Sequence, residues 1–340
     1  MLAFILRRCV TMVWTLLVVS ILVFIIVNLP PGDILTNQIN QLMASGEESS
    51  VAQAQFLAQQ YSLDQPLWKQ YVIWIGVWPG PEGFSGILQG DFGWSFELDR
   101  PVWEIVAEAM WMTVVLNLTT ILFIYFFALP LGAIAAVKAN TLIDYMATFI
   151  GYIGLATPNF LLALVLYNYG AQWFGLPVGG MMSREFSGEP MSWAKLGDIL
   201  LHLLVPVIVI GTSGMAAMVR RLRANLLDEL GKPYVVTAAA KGLTPGRAVV
   251  KYPLRMALNP FVADIGNLLP QLVSGSVIVS VVMGLQTVGP ILLQSLRAQD
   301  YFLSGFILLF ASVLTLVGML ISDILLAVLD PRIRYSARAR

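Results

Sequence analysis

Side chains able to do chemistry are few in this chain, and their spacing excludes most of it. A single cysteine, Cys9, and a single histidine, His202, rule out an intramolecular disulfide, a cysteine-based zinc or iron–sulfur centre and paired-histidine metal ligation. Ser213 and Ser274 have no histidine or lysine in register, so the nucleophile–base pair of a hydrolase is missing. A phosphate-binding loop needs GxxxxGK followed by Ser or Thr. Leu230-Gly231-Lys232-Pro233 and the stretch from Gly242 to Gly246, followed by Arg247, both break that pattern. The chain is therefore expected to hold no metal, nucleotide or other cofactor and to catalyse no reaction itself. What remains are two acids inside apolar runs, Asp264 and Asp323, and an unusual Thr157-Pro158-Asn159 within a third run.

The elements that must position these residues are membrane spans. Hydrophobic side chains make up 58% of the 340 residues and charged ones only 12%, where a soluble chain has about 25% charged. Lys plus Arg and Asp plus Glu number 20 each, and this balance gives no basic surface for nucleic acid. A span needs about 20 mostly apolar residues. Six runs qualify: Thr11 to Leu29, Thr113 to Val137, Tyr145 to Trp173, Ile199 to Val219, Met256 to Leu285 and Tyr301 to Leu329. Pro130 and Pro206 fall inside two of them, as tolerated kinks. The first run is too long for a signal peptide and Pro30-Pro31-Gly32-Asp33 lacks a small-x-small cleavage site, so it reads as a retained anchor.

Basic residues are retained on the cytoplasmic side. With the N-terminus inside, only Lys69, Arg100, Arg184, Lys195 and Arg297 of the 20 basic residues fall outside. Both termini are then cytoplasmic, and the fold class is an all-α membrane protein of six transmembrane helices. The organisation expected is 1–30 as cytoplasmic start and first span, 31–112 as an extracytoplasmic segment, and 113–340 as a five-helix core containing a cytoplasmic loop, 220–255. In this frame Asp264 and Asp323 lie within about two turns of the cytoplasmic end, which favours pairing with nearby arginines or loop capping over gating. His202 reads as a hydrogen-bonded residue at the outer interface.

The outer segment should hold a polar helical stretch from Gln38 to Gln60. An aromatic stretch follows (Trp68, Tyr71, Trp74, Trp78), suited to a membrane interface or, second, to ligand stacking. On the inner loop, Gly231-Lys232-Pro233 should end one helix with a left-handed glycine and start the next. Tyr234 to Lys241 reads as a short alanine-rich helix stopped at Gly242, and Thr244 starts another that reaches Arg255. Such a helix–Gly–helix knob suits docking into a cytoplasmic partner; the plainer alternative is a basic loop on anionic lipid.

The stretch from Tyr234 to Leu243, followed by Arg255-Met256-Ala257-Leu258-Asn259-Pro260, resembles the EAA loop of permease subunits of binding-protein-dependent ABC importers, in the dipeptide, oligopeptide and nickel branch. Ile5-Leu6-Arg7-Arg8, Leu29 to Asp33, Gly90 to Ser95, Arg100-Pro101-Val102, Ala156 to Phe160, Gly275-Ser276-Val277 and Asp330-Pro331-Arg332 resemble that branch too, in order along the chain. The resemblance implies a type I ABC importer permease fold in a bacterial inner membrane. It also implies a second, homologous permease subunit, two ATPase subunits that bind ATP and Mg, and an extracytoplasmic substrate-binding protein. It assigns ATPase coupling to Tyr234, Thr237, Ala238, Lys241, Gly242, Leu243 and Arg247. Val236 stands where the family has a glutamate, and Ser280 and Met283 stand where peptide relatives have an acid and an aromatic. The missing carboxylate leaves a neutral oligosaccharide as the alternative to a peptide substrate.

A proline in the middle of an apolar span frees carbonyls that are tolerable only against another helix or a polar cavity. Thr157 and Asn159 are therefore expected to line the translocation pathway. Gln271, Ser274 and Gly275 share one helical face of the fifth run, extended by Asn267 and Ile278, and with Ser276 and Ser280 they complete the expected pathway set; a packing seam is the alternative. A secondary carrier is the less favoured class, because neither an inverted repeat nor midplane charges are present.

Overall fold

The computed structural model describes the backbone of residues 2–30, 32, 34–81 and 83–329, and their side chains except those of 2, 3, 263–274, 328 and 329. Asp264, Asn267, Gln271 and Ser274, singled out above, thus have side chains outside the described residues, as do 330–340 entirely. The helices come in the order α1 (Leu2–Asn28), α2 (Ile34–Ala44), α3 (Glu48–Gln60) and α4 (Leu67–Ile75). A two-stranded ribbon follows, β1 (Trp94–Ser95) and β2 (Arg100–Pro101), then α5 (Val102–Val137), α6 (Leu142–Ala156), α7 (Asn159–Phe174) and α8 (Trp193–Leu230). The chain continues through α9 (Pro233–Ala240), α10 (Pro245–Lys251), α11 (Pro253–Val282), α12 (Val288–Ala298) and α13 (Tyr301–Leu329).

Four described helices, α1, α5, α8 and α13, are long and apolar enough to cross a membrane, and α6 with α7 adds a fifth crossing if that bent pair is one span. The run from Tyr145 to Trp173 is thus not one continuous helix. Its two arms meet at 92°. Pro158 has no N–H and disfavours helical backbone in the residue before it; Thr157 is accordingly extended, at φ −87° and ψ 118°. Pro130 and Pro206, by contrast, sit inside unbroken helices. The fifth run corresponds to α11, which has 30 residues.

The described chain forms two compact units. The first is built around Met112–Gly289, and α8 is its spine. Ser192 caps that helix, its hydroxyl accepting from Lys195 N–H at 3.2 Å. Leu203, Val209, Leu222 and Leu226 of α8 join Leu116, Ile124 and Ala128 of α5, Phe261 and Val279 of α11 and Met283 just after it in one core. Among lipid-embedded helices, association depends on close packing more than on apolar burial, and the α6–α8 seam shows it. A Cβ on Gly154 would lie 2.9 Å from Thr212 Cγ2 and 3.3 Å from Thr212 O, so only glycine permits this approach.

The second unit is built from Arg8–Trp111 and Pro290–Leu314. The expected polar helix over 38–60 is two helices, α2 and α3, interrupted at 45–47, where Gly46 is left-handed. They pack through Leu35, Ile39 and Ala54. Of the four outer aromatics, Trp68 and Trp78 are exposed, whereas Trp74 is buried with Phe24 and Leu309. Tyr71 meets the Ser20 hydroxyl at 2.7 Å, so half of that stretch packs α4 on α1. Asp300, 1% exposed, accepts from Ser95 Oγ at 2.6 Å, from Glu97 N–H at 3.2 Å and from Leu303 N–H at 3.1 Å. One carboxylate therefore caps the start of α13 and holds the β1–β2 turn.

Candidate functional site

The inner loop is a helix–Gly–helix knob. Pro233 and Pro245 each stand in the first turn of a short helix, where the missing N–H costs nothing. Gly242, between them, is left-handed at φ +81° with open space around a would-be Cβ. Gly231 differs from expectation: it closes α8 in a right-handed conformation, at φ −76°. The helix after Thr244 ends at Lys251, short of Arg255, because Tyr252 leaves helical geometry (φ −121°, ψ −74°) and Pro253 starts α11.

Contacts at the end of α8 hold the knob. Glu229 accepts from Lys232 Nζ at 2.6 Å and from Tyr234 Oη. Burial, reinforced by that carboxylate acceptor, pushes the Tyr234 phenol up to about 12, so it remains a neutral donor at any physiological pH. Thr237 Oγ1 donates to Pro233 O at 3.0 Å, and Ala238 and Ala248 are buried. The exposed surface carries Thr237, Lys241, Gly242 and Arg247, with two apolar side chains, Val236 at 68% and Val250 at 64% exposure. Leu243 is half-buried. Of the seven coupling residues expected from the sequence, Ala238 thus faces into the subunit and Tyr234 is committed to α8.

The pathway set divides. Thr157 and Asn159 are half-buried at the break; Thr157 Oγ1 donates to Ile153 O at 2.8 Å, and Asn159 Nδ2 donates to Ser213 Oγ of α8 at 3.3 Å. Ser276 and Ser280 are 4% and 0% exposed, opposite the exposed Gly275, Ile278 and Val281. The helical rotation of about 100° per residue separates these faces, so the two serines do not lie on the Gly275–Ile278 stripe. The Ser280 hydroxyl has no hydrogen-bond partner among the described residues, and the same holds for both amide atoms of Asn117 and for the Thr287 hydroxyl. Val288 N–H, next to Thr287, donates to Thr113 Oγ1, one turn before Asn117, at 2.9 Å, and Leu285 N–H donates to Ser280 O at 2.8 Å.

His202 is 6% exposed, with Nδ1 at 2.9 Å from Asp198 O and 3.5 Å from Asp198 Oδ1, the hydrogen-bonded state expected of it. Asp323 is half-buried beside Ser322, whose hydroxyl donates to Val262 O at 2.9 Å. In the second unit Trp74, with Phe24, Tyr61, Trp94 and Phe302, walls a cavity of about 310 Å³. One ion pair was not anticipated from the sequence. Asp144, 1% exposed in α6, accepts from Arg223 Nε at 2.5 Å and from Arg223 Nη2 at 2.7 Å. Its signal was available: on the topology expected from the basic residues Asp144 falls on the cytoplasmic side, where acids are scarce, and an acid there needs a basic partner.

Two family models match. Residues 128–335 match the inner membrane component of binding-protein-dependent transport systems, and residues 1–117 match the N-terminal part of such membrane components. The chain is 34% identical to the oligopeptide transport system permease protein AppB of Bacillus subtilis (strain 168), over 98% of this chain and 100% of that one. It is 32% identical to the dipeptide transport system permease protein DppB of Escherichia coli (strain K12), over 98% and 99%. It is 31% identical to the glutathione transport system permease protein GsiC of the same strain, over 98% and 100%. Its fold is similar to that of a chain of the inward-facing MetNI methionine ABC transporter, with a TM-score of 0.52 at 17% identity, over 66% of this chain and 96% of that chain. With both family models matched in order and relatives aligned along nearly the whole length, the chain belongs to the family of inner membrane components of binding-protein-dependent transport systems, in its peptide-permease branch.

Proposed function

We propose that this chain is the transmembrane pathway subunit of an ATP-driven importer that takes up di- or oligopeptides delivered by an extracytoplasmic binding protein. It works beside a second, homologous permease and two ATPase subunits. Six helices cross the membrane with both termini in the cytoplasm, as the basic asymmetry of the sequence supports. The carrying observation is the exposed α9–Gly242–α10 knob, a short, preorganised element on which Val236 and Val250 are exposed. A groove on a cytoplasmic partner would cover these two apolar side chains. ATP and Mg are bound by the partner ATPases.

Peptide uptake is supported by the relatives, whose names specify oligopeptide, dipeptide and glutathione transport. The pathway reading for Ser276 and Ser280 needs a second state of α11 in which they are hydrated. Their neighbourhood supports such a state: an unpartnered buried polar group costs about 1–3 kcal/mol, and Ser280, Asn117 and Thr287 would each gain partners from entering water. Specificity then rests with the binding protein, and the pathway is weakly polar.

The test is reconstitution of the complete complex in vesicles, with binding protein outside and ATP inside. ATP-dependent accumulation of labelled peptides is expected. Accumulation of an oligosaccharide and not of peptides would transfer the assignment to the neutral substrate. Uptake by this chain alone, driven by an ion gradient, would replace the importer with a carrier.

A further inference from the structure

We propose that the bidentate Asp144–Arg223 pair, whose carboxylate is buried, is the positioning contact through which movement of the inner knob reaches the broken α6–α7 helix. The inference rests on the importer reading and adds to it the residues that transmit the motion. The knob is fastened to α8 at one end, where Glu229 holds both Lys232 and Tyr234. Less than two turns back along α8, Arg223 enters the first turn of α6 and meets Asp144 with two parallel donors. Asp144 also accepts from Asn140 N–H at 2.9 Å, in the turn that leads into α6. At the far end of α6, Asn159 reaches back to Ser213 of the same α8. One helix therefore connects the exposed knob to both ends of the element that carries the break.

Chemistry distinguishes the pair from the packing around it. Gly154 against Thr212 brings the two helices close, but a seam of small residues resists separation far better than it resists sliding. A slip by one turn, about 5.4 Å, is opposed there by shape alone. The bidentate guanidinium–carboxylate geometry forbids that slip, because two directed bonds define both position and rotation. Asp144 has a side-chain exposure of 2% and Arg223 of 29%. Burying charges this way seldom adds stability over an apolar pair of the same volume; its best-attested use is to fix register. Fixed register is what a lever needs if a push at the knob is to arrive at Thr157 and Pro158.

The experiment uses the whole complex in vesicles and reads two rates, ATP hydrolysis and substrate uptake, together with the amount of assembled complex. Arg223→Lys keeps the charge and loses the fork. The expected result is normal assembly, sustained hydrolysis, and uptake per ATP reduced at least about fivefold, the lower end of typical coupling strengths. Exchange of the charges, Asp144→Arg with Arg223→Asp, should recover part of that ratio relative to either single change. An assembled Arg223→Lys complex with an unchanged ratio would overturn the proposal. Loss of assembly in both Arg223→Lys and the exchanged pair would overturn it as well, by making the contact a requirement of folding. The wild-type complex separates this outcome from the importer reading, since absence of ATP-driven uptake there defeats that reading, whereas a deficit confined to the variants concerns the pair.

Discussion

Tyr234 and Gly242 make the knob testable one side chain at a time. Tyr234→Phe removes a hydrogen bond to a carboxylate that Lys232 still neutralises, so the loop should lose about 1–2 kcal/mol of local stability. Amide exchange across 233–240 should quicken accordingly. The raised phenol pKa works in the same direction: the neutral phenol is the form that contributes, and its contribution is lost only as pH rises through about 12. Exchange rates corrected for intrinsic chemistry should therefore be flat between roughly pH 6 and 9; a step in that window would mean another group holds the loop. Gly242 is left-handed, which Asn tolerates and Arg does not. Gly242→Asn should keep uptake, while Gly242→Arg should leave the protein inserted yet uncouple hydrolysis from transport. Full uptake by both would make the knob a mere linker. A charge at the buried Ala238 is the poorer probe, because it disturbs the loop's own packing.

At the scale of elements, the α6–α7 break is the feature most exposed to experiment. Its angle is held by Pro158, by the extended backbone of Thr157 and by the Asn159–Ser213 bond. Spin labels at 145 and 173 should report roughly 30 Å across the bend, against about 42 Å for a straight helix of the same length. Pro158→Ala restores an N–H and should broaden the distribution towards the longer distance, with a fall in uptake. An unchanged narrow peak would show that packing on α8 alone sets the angle. In the second unit Asp300→Ala leaves Ser95 Oγ and two N–H donors without their acceptor. A loss of about 2–4 kcal/mol is expected for a buried charged acceptor with several partners, readable as faster proteolysis within 94–101.

For the whole molecule the decisive quantity is sidedness. Cysteines replacing Glu47 and Lys241 should label from opposite faces of the membrane, the first from outside and the second from within. Labelling of both from one face would remove the six-span topology, and with it the assignment of the knob to cytoplasmic ATPases. Helix length is consistent with the expected arrangement: α8, at 38 residues, extends about 57 Å where the hydrocarbon core needs about 30 Å. Such a helix is long enough to cross the membrane and still extend well beyond it.

Composition, run length and the uneven distribution of Lys and Arg determined by themselves that this is a multi-span membrane protein, because the cost of exposing a charge to lipid is paid residue by residue and is legible without a fold. The knob was legible for a similar reason: Pro233, Gly242 and Pro245 impose their backbone geometry locally. Tertiary structure alone decided which side of each helix is covered. Ser276 and Ser280, expected on the pathway, are covered by neighbouring elements in this structure, Trp74 packs against Phe24 of α1, and Ala238 is the buried side of its short helix. It also decided the Asp144–Arg223 pair, whose partners stand 79 residues apart. Local propensity cannot register an attraction between groups that only the packing of α6 on α8 brings within bonding distance.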